Sequence, residues 1–206
     1  VDVFLYWDIP EYADIYATEA ISLHEHISGI NPMVSAQSYI NKARTVHVLG
    51  HLDSIRFYSD KARVLCESLP YNSGMVDVDL LSGIYLTESG GDSFQEGVHL
   101  LKNVVSQGTP ANQAKAYHQL AIVYLRNGNG AIAEQMLDSL YAILDGMSRH
   151  ILHLDYEPII DHYLKTGNQT KAQRYTKLLL NEHEEFMHNK VNEKLVDAIV
   201  HFQAEQ

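Results

Sequence analysis

The chain has 206 residues and a formal charge of −11, with fifteen Lys and Arg against twenty-six Asp and Glu and 46% apolar residues. That length and apolar content allow one or two ordinary domains with a sizeable core and exclude a disordered chain. The acidic excess disfavours direct binding to a nucleic-acid backbone or an anionic membrane surface, and the one cysteine, Cys66, has no intrachain partner for a disulfide.

Apolar residues recur at helical spacing almost throughout, as at Leu120, Val123 and Tyr124 and again at Ala133, Met136, Leu137, Leu140 and Leu144. Sustained alternation is scarce, so the expected fold class is all-α. Gly, Pro and Asn clusters break the pattern and predict helices over 9–27, 33–48, 52–68, 75–88, 92–106, 110–127, 130–145, 149–166 and 169–204. Thr109-Pro110 reads as an N-cap followed by proline at the first helical position, and Gly128 and Gly167 stand where a helix ends in a left-handed residue. Pro158 has two readings: it sits in a first turn behind an Asp155 cap, or it kinks a helix begun near 149. No stretch reaches the roughly 18 to 20 apolar residues of a membrane span. The abrupt start VDVFLYWDIP, without a signal-peptide pattern, and the charged end FQAEQ read as a piece of a longer protein.

The chain repeats itself. Tyr117, Leu120-Ala121, Tyr124, Gly128 and Ala133 return thirty-nine residues later as Tyr156, Ile159-Ile160, Tyr163, Gly167 and Ala172. One step back, Val78, Leu81-Ser82 and Tyr85 form a degenerate third copy, with the lengthened turn ESGGDSF and Gly97 at the crossing position. Ala43, Val46, Gly50, Ile55 and Ala62 fit a fourth. A helix, tight turn, helix unit that stacks on its own copies needs large, small and glycine positions of this kind. The pattern resembles the tetratricopeptide repeat, and that resemblance implies a right-handed α-solenoid over residues 1–206 with its best repeats near 75–113, 114–152 and 153–190.

The run YEPIIDHYLKTGNQTKAQRYTKLLLNEHEEF and the charged tail are similar to the helical-repeat regions of membrane-anchored regulators in Bacteroidetes-like bacteria. In such proteins a helical sensor region precedes a coiled segment, a membrane span and a LuxR-type DNA-binding domain or a histidine kinase. The resemblance implies a sensing or protein-interaction role on the periplasmic side, a cytoplasmic location being the alternative, with any membrane contact made only through downstream regions. Val191, Leu195, Ala198 and Phe202 are spaced four, three, four, which reads as a short coiled-coil seam able to pair two copies or as a last helix capping the array.

No residue pattern points to catalysis. His47 and His51 are spaced i, i+4, but Val48 stands where HExxH requires glutamate. His24 with His26, His150 with His153 and His183 with His188 lack ligand spacing or a helix to carry it, so neither a metal nor another cofactor is expected. GxSxG and phosphate loops are absent, and Cys66 shares a helical stripe with Ala62, Leu65 and Leu69, the setting of a buried structural thiol.

In tetratricopeptide arrays the first helix of each repeat lines the concave side. By that register the partner-binding groove here consists of Asp79, Gly83 and Leu86, then His118, Ile122 and Leu125, then Glu157, Asp161 and Leu164. These are not the lysines and asparagines of a carboxylate clamp. They suit a basic or neutral peptide, or another segment of the same protein. The expected function is therefore non-catalytic binding within a signalling or transcription regulator, with a scaffold or assembly chaperone as the alternative.

Overall fold

The computed structural model describes residues 5, 10–27, 29–70, 74–147, 152, 154–184 and 187. Among these residues every regular element is helical and no strand occurs. The helices are α1 (Pro10–His26), α2 (Pro32–Val48), α3 (Leu52–Glu67), α4 (Met75–Ser89), α5 (Phe94–Gln107), α6 (Pro110–Arg126), α7 (Gly130–Asp145) and α8 (Glu157–Lys165), with a 3-10 turn at Gly91–Ser93. A further helix, α9, covers 169–184.

Local chemistry explains most of these limits. Asn31 and Thr109 cap α2 and α6 by accepting from the N–H groups of Met33 and Asn112, and a proline follows each cap. The Asp155 carboxylate accepts the Glu157 N–H at 3.1 Å and Pro158 falls in the first turn. Pro158 therefore lies in a first turn, as the first of its two readings has it, but the cap position is Tyr156 and Asp155 stands one residue before it; the helix expected from 149 starts at 157, where a proline costs no backbone hydrogen bond.

The described helices fall into two compact units, α1 to α7 in one and α8 with α9 in the other, dividing at 147/148 inside the span expected as one domain. In the first unit each helix packs on the next in sequence, most extensively as the pairs α2 with α3, α4 with α5 and α6 with α7. The first members of these pairs also touch in succession, α2 to α4 and α4 to α6. α4 is therefore enclosed. Val78 and Leu81 join Ile40, Ala43, Val46 and Ile55 in one core cluster, while Leu80 and Ile84 join Val98, Leu101, Val104 and Leu120 in another. A helix that serves two cores must be apolar nearly all round, and MVDVDLLSGIYL is.

In the second unit α8 and α9 close over an aromatic centre. Tyr156, Ile159 and Tyr163 are fully buried with Ala172, Tyr175 and Leu178. The Tyr163 ring stacks on Tyr175 with centroids 5.8 Å apart, and the Tyr156 hydroxyl donates to Glu182 at 3.0 Å. The rings provide the buried area, and the hydrogen bond meets the desolvation cost of the polar tip. The seam expected at Val191 to Phe202, the helix expected beyond 184 except helical Met187, and the histidines His150, His153 and His188 lie outside the described residues.

Candidate functional site

The turn that ends each first helix recurs in atomic detail. His51 N–H donates to Val46 O at 2.8 Å, Asn129 N–H to Tyr124 O at 2.9 Å and Asn168 N–H to Tyr163 O at 2.8 Å. In each case the preceding glycine has positive φ, at Gly50, Gly128 and Gly167. This is the six-to-one bond of a Schellman stop, repeated at the intervals seen in the sequence. The α4 turn departs from it, as ESGGDSF implies, through Gly90, Gly91 and the 3-10 turn.

The nine residues expected to line the groove do not share one environment. Glu157, Asp161 and Leu164 are exposed along one side of α8, spaced four and three. Leu86, His118 and Leu125 are half-buried. Gly83 and Ile122 are buried and do not belong to an open face. Asp79 is occupied: the Arg63 guanidinium donates to its carboxylate at 2.9 Å and to the Ser82 hydroxyl at 3.2 Å, tying α3 to α4.

The departure in α4 has a steric cause. A Cβ on Gly83 would lie 2.8 Å from Leu101 Cγ, and one on Gly97 would lie 2.9 Å from both Leu86 Cβ and the Thr87 backbone nitrogen. Paired glycines bring α4 and α5 into near backbone contact, so the crossing falls on Gly83 and not on Ser82. Gly97 does take the crossing position expected for it. Leu86 Cβ also lies against Gly97, on the α5 side.

A polar seam instead joins the first helices. Asp77 on α4 accepts from the Arg44 guanidinium of α2 and, at 3.3 Å, from the Asn112 amide of α6. One carboxylate thus links three helices. Further along, buried Gln119 donates to Thr87 Oγ1 at 3.2 Å and to Glu88 at 3.4 Å. Burial pushes the His47 imidazole below its ordinary value of 6.5, with the Lys115 charge acting in the same direction and Glu88 opposing both. Sequence reasoning missed this seam. The separations of thirty-three from Arg44 to Asp77 and thirty-five from Asp77 to Asn112 do not match the thirty-nine-residue period, and Asn112 carries no charge, so the repeat gave no signal for it.

The His47/His51 pair weighed as a zinc face is not on one helix, because α2 ends at Val48 and the chain reverses at Gly50. Among the described residues no three His, Cys, Asp or Glu side chains gather as metal ligands, and no helix is long and apolar enough to cross a membrane. Cys66 is fully buried, and that burial raises its thiol pKa, with Asp77 and Glu67 adding to the rise and Arg63 opposing it. The arrangement can hold helices in register and present side chains. No family model matches the chain, and no curated protein or solved structure does.

Proposed function

We propose that the chain is a tetratricopeptide-like, right-handed solenoid segment that works by binding, within a larger bacterial signalling or transcription regulator. The observation that carries this reading is the threefold recurrence of one hydrogen-bonded turn, at Gly50, Gly128 and Gly167, together with the succession α2, α4, α6. Within a unit, stacked hairpins of this kind leave a face of first helices for a partner. In the first unit that face offers half-buried Leu86, His118 and Leu125, and in the second the exposed stripe Glu157, Asp161 and Leu164.

Acidic and apolar groups together favour a basic or neutral peptide, and the charge of −11 opposes nucleic acid. Placement on the periplasmic side of a membrane-anchored regulator, and pairing through the C-terminal helix, belong to the same proposal and rest on the resemblance to Bacteroidetes regulators.

The test is site-specific photocross-linking in cells. A photoreactive residue replaces Leu125 or Leu164, and exposed Val64 on the outer side of α3 is the control. A discrete adduct at Leu125 or Leu164 that is missing at Val64 is expected. Identical adducts at all three positions, or none, end the reading. Where an adduct forms, Leu164→Glu should alter the transcript profile if the segment signals and leave it unchanged if it is a scaffold.

A further inference from the structure

The sequence holds two Asn-Gly pairs, back to back in the turn between α6 and α7: Asn127-Gly128 and Asn129-Gly130. An asparagine before glycine is open to attack by its own chain, because the next backbone nitrogen, unshielded by a Cβ, reaches the side-chain amide carbon. Both asparagines are exposed. Their hydrogen bonds differ.

Asn127 is held at both reacting groups. Its side-chain amide donates to Val123 O at 3.0 Å, which folds it back on α6, and the Gly128 N–H that would have to attack donates to Leu125 O at 3.1 Å. Asn129 is held at neither. It precedes α7 without a side-chain capping bond, and Gly130, as the first residue of α7, has no intrahelical acceptor for its N–H. The equivalent positions of the other two Schellman turns provide contrasts. Asn168 Oδ1 accepts the Lys171 N–H at 3.2 Å and glutamine follows it, while His51 stands at the remaining one.

We propose that Asn129 modifies itself in the folded chain, and that its isoaspartate product loosens the hairpin of α6 and α7. The Gly130 nitrogen gives its proton to solvent base and bonds to Asn129 Cγ; the Cγ–Nδ2 bond breaks, and ammonia leaves after taking one proton from water. A water molecule then opens the five-membered imide. Cleavage between the nitrogen and Cγ leaves an aspartate. Cleavage between the nitrogen and the main-chain carbonyl carbon leaves an isoaspartate, whose main chain runs through Cβ and Cγ and is longer by one methylene. The net change consumes one water and releases one ammonia, so no other reactant is needed.

Ring closure requires the Asn129 ψ of 57° to rotate until the nitrogen meets Cγ. That rotation breaks the bonds from the Ile132 and Ala133 N–H groups to Asn129 O, both 3.1 Å, so the reaction runs through fraying of the first turn of α7. The two products differ in consequence. Aspartate keeps the main chain intact and suits a helix N-terminus. Isoaspartate disturbs the turn, because the Asn129 N–H bond to Tyr124 O at 2.9 Å and both bonds at Asn129 O depend on the link it lengthens.

The full chain is kept in warm, mildly alkaline buffer and sampled over days by tryptic mapping. Cleavage after Arg126 and Arg149 releases one peptide with both asparagines, and fragmentation places the gain of about one dalton. Position 129 should react about tenfold faster than position 127, the ratio expected from the two hydrogen bonds that hold Asn127 and Gly128. Gly130→Ala should slow position 129 about tenfold or more, since the new methyl shields the attacking nitrogen. Separated isoaspartate-bearing chains should melt below fresh protein, whereas Asn129→Asp should melt with the parent. The proposal is overturned if position 127 reacts first, if position 129 gains mass only after denaturation, or if Gly130→Ala leaves the rate unchanged. Isoaspartate-bearing chains that melt with the parent would remove the loosening of the hairpin.

Discussion

Lys42 Nζ lies 2.6 Å from Asp14 Oδ1 and 2.6 Å from Thr18 Oγ1, with the lysine side chain 7% exposed and the aspartate 34%. Lys42 occupies the register position filled by Leu81, Leu120 and Ile159 in the later repeats. It therefore carries a charge to a core position, and α1 supplies the carboxylate and hydroxyl that satisfy it. Asp14→Ala should cost about 2 kcal/mol, less than a fully buried pair because the carboxylate is partly solvated. Lys42→Met in the Asp14→Ala background should recover much of that loss, since no charge then stays buried without a partner. Urea denaturation of the single and double variants measures both, and a double variant no more stable than Asp14→Ala would contradict the account.

Gly97→Ala should destabilise by about 1–3 kcal/mol, because the new methyl meets the Thr87 backbone at 2.9 Å and backbone cannot swing aside. Gly128→Ala meets no atom within 4 Å and is disfavoured only by its φ of +72°, so about 1–2 kcal/mol is expected. Thermal melts should show, in addition, that Gly97→Ser is at least as damaging as Gly97→Ala, while Gly128→Asn is milder than Gly128→Ala because asparagine tolerates the left-handed region.

Acidification should weaken the first unit through His47. Its folded pKa lies below the ordinary 6.5, so the unfolded chain binds the proton more readily. The neutral ring costs nothing above that value. As pH falls below about 6.5 toward the lower folded value, stability is progressively lost. Paired denaturation curves at pH 7.5 and pH 5 should show a smaller drop for His47→Gln than for the parent, the difference isolating this histidine from the others. An equal drop would assign the pH dependence elsewhere.

Cys66 should be inert while the chain is folded. Its sulfur is fully buried, 3.1 Å from where a Cβ on Gly74 would stand, and burial raises the pKa of the thiol whose anion is the reactive form. A chromogenic disulfide reagent should titrate one thiol per chain in denaturant and close to none without it. Prompt reaction of the folded protein would mean that α3 and α4 open readily at this point.

Helix limits were largely legible in the sequence because caps and breakers act over three or four residues. Thr109-Pro110 starts α6 at its expected residue, and Gly128 stops it one residue short of the expected end with the expected positive φ. The later start of α8 was one of two readings that local rules left open at Pro158, and the Asp155 bond decided between them. The groove was less legible. Gly83 and Ser82 are adjacent small residues, and either could have marked the crossing; only the approach of Leu101 and Gly97 selected Gly83. Asp79 likewise looked like a residue for a partner until Arg63 was found against it.

The amino-acid order alone determined the all-helical class, the thirty-nine-residue recurrence and the glycine stops, since backbone dihedral preferences and hydrogen bonds a few residues long decide them. Tertiary structure decided which face of each helix is spent on its neighbours. That choice turns on contacts between residues thirty or more positions apart, such as Arg44 with Asp77 and Asp77 with Asn112, and on how closely two backbones approach where Gly83 and Gly97 meet. Gly83 lies at a buried crossing because Leu101 and Gly97 approach it there, and only the packed neighbours decide that.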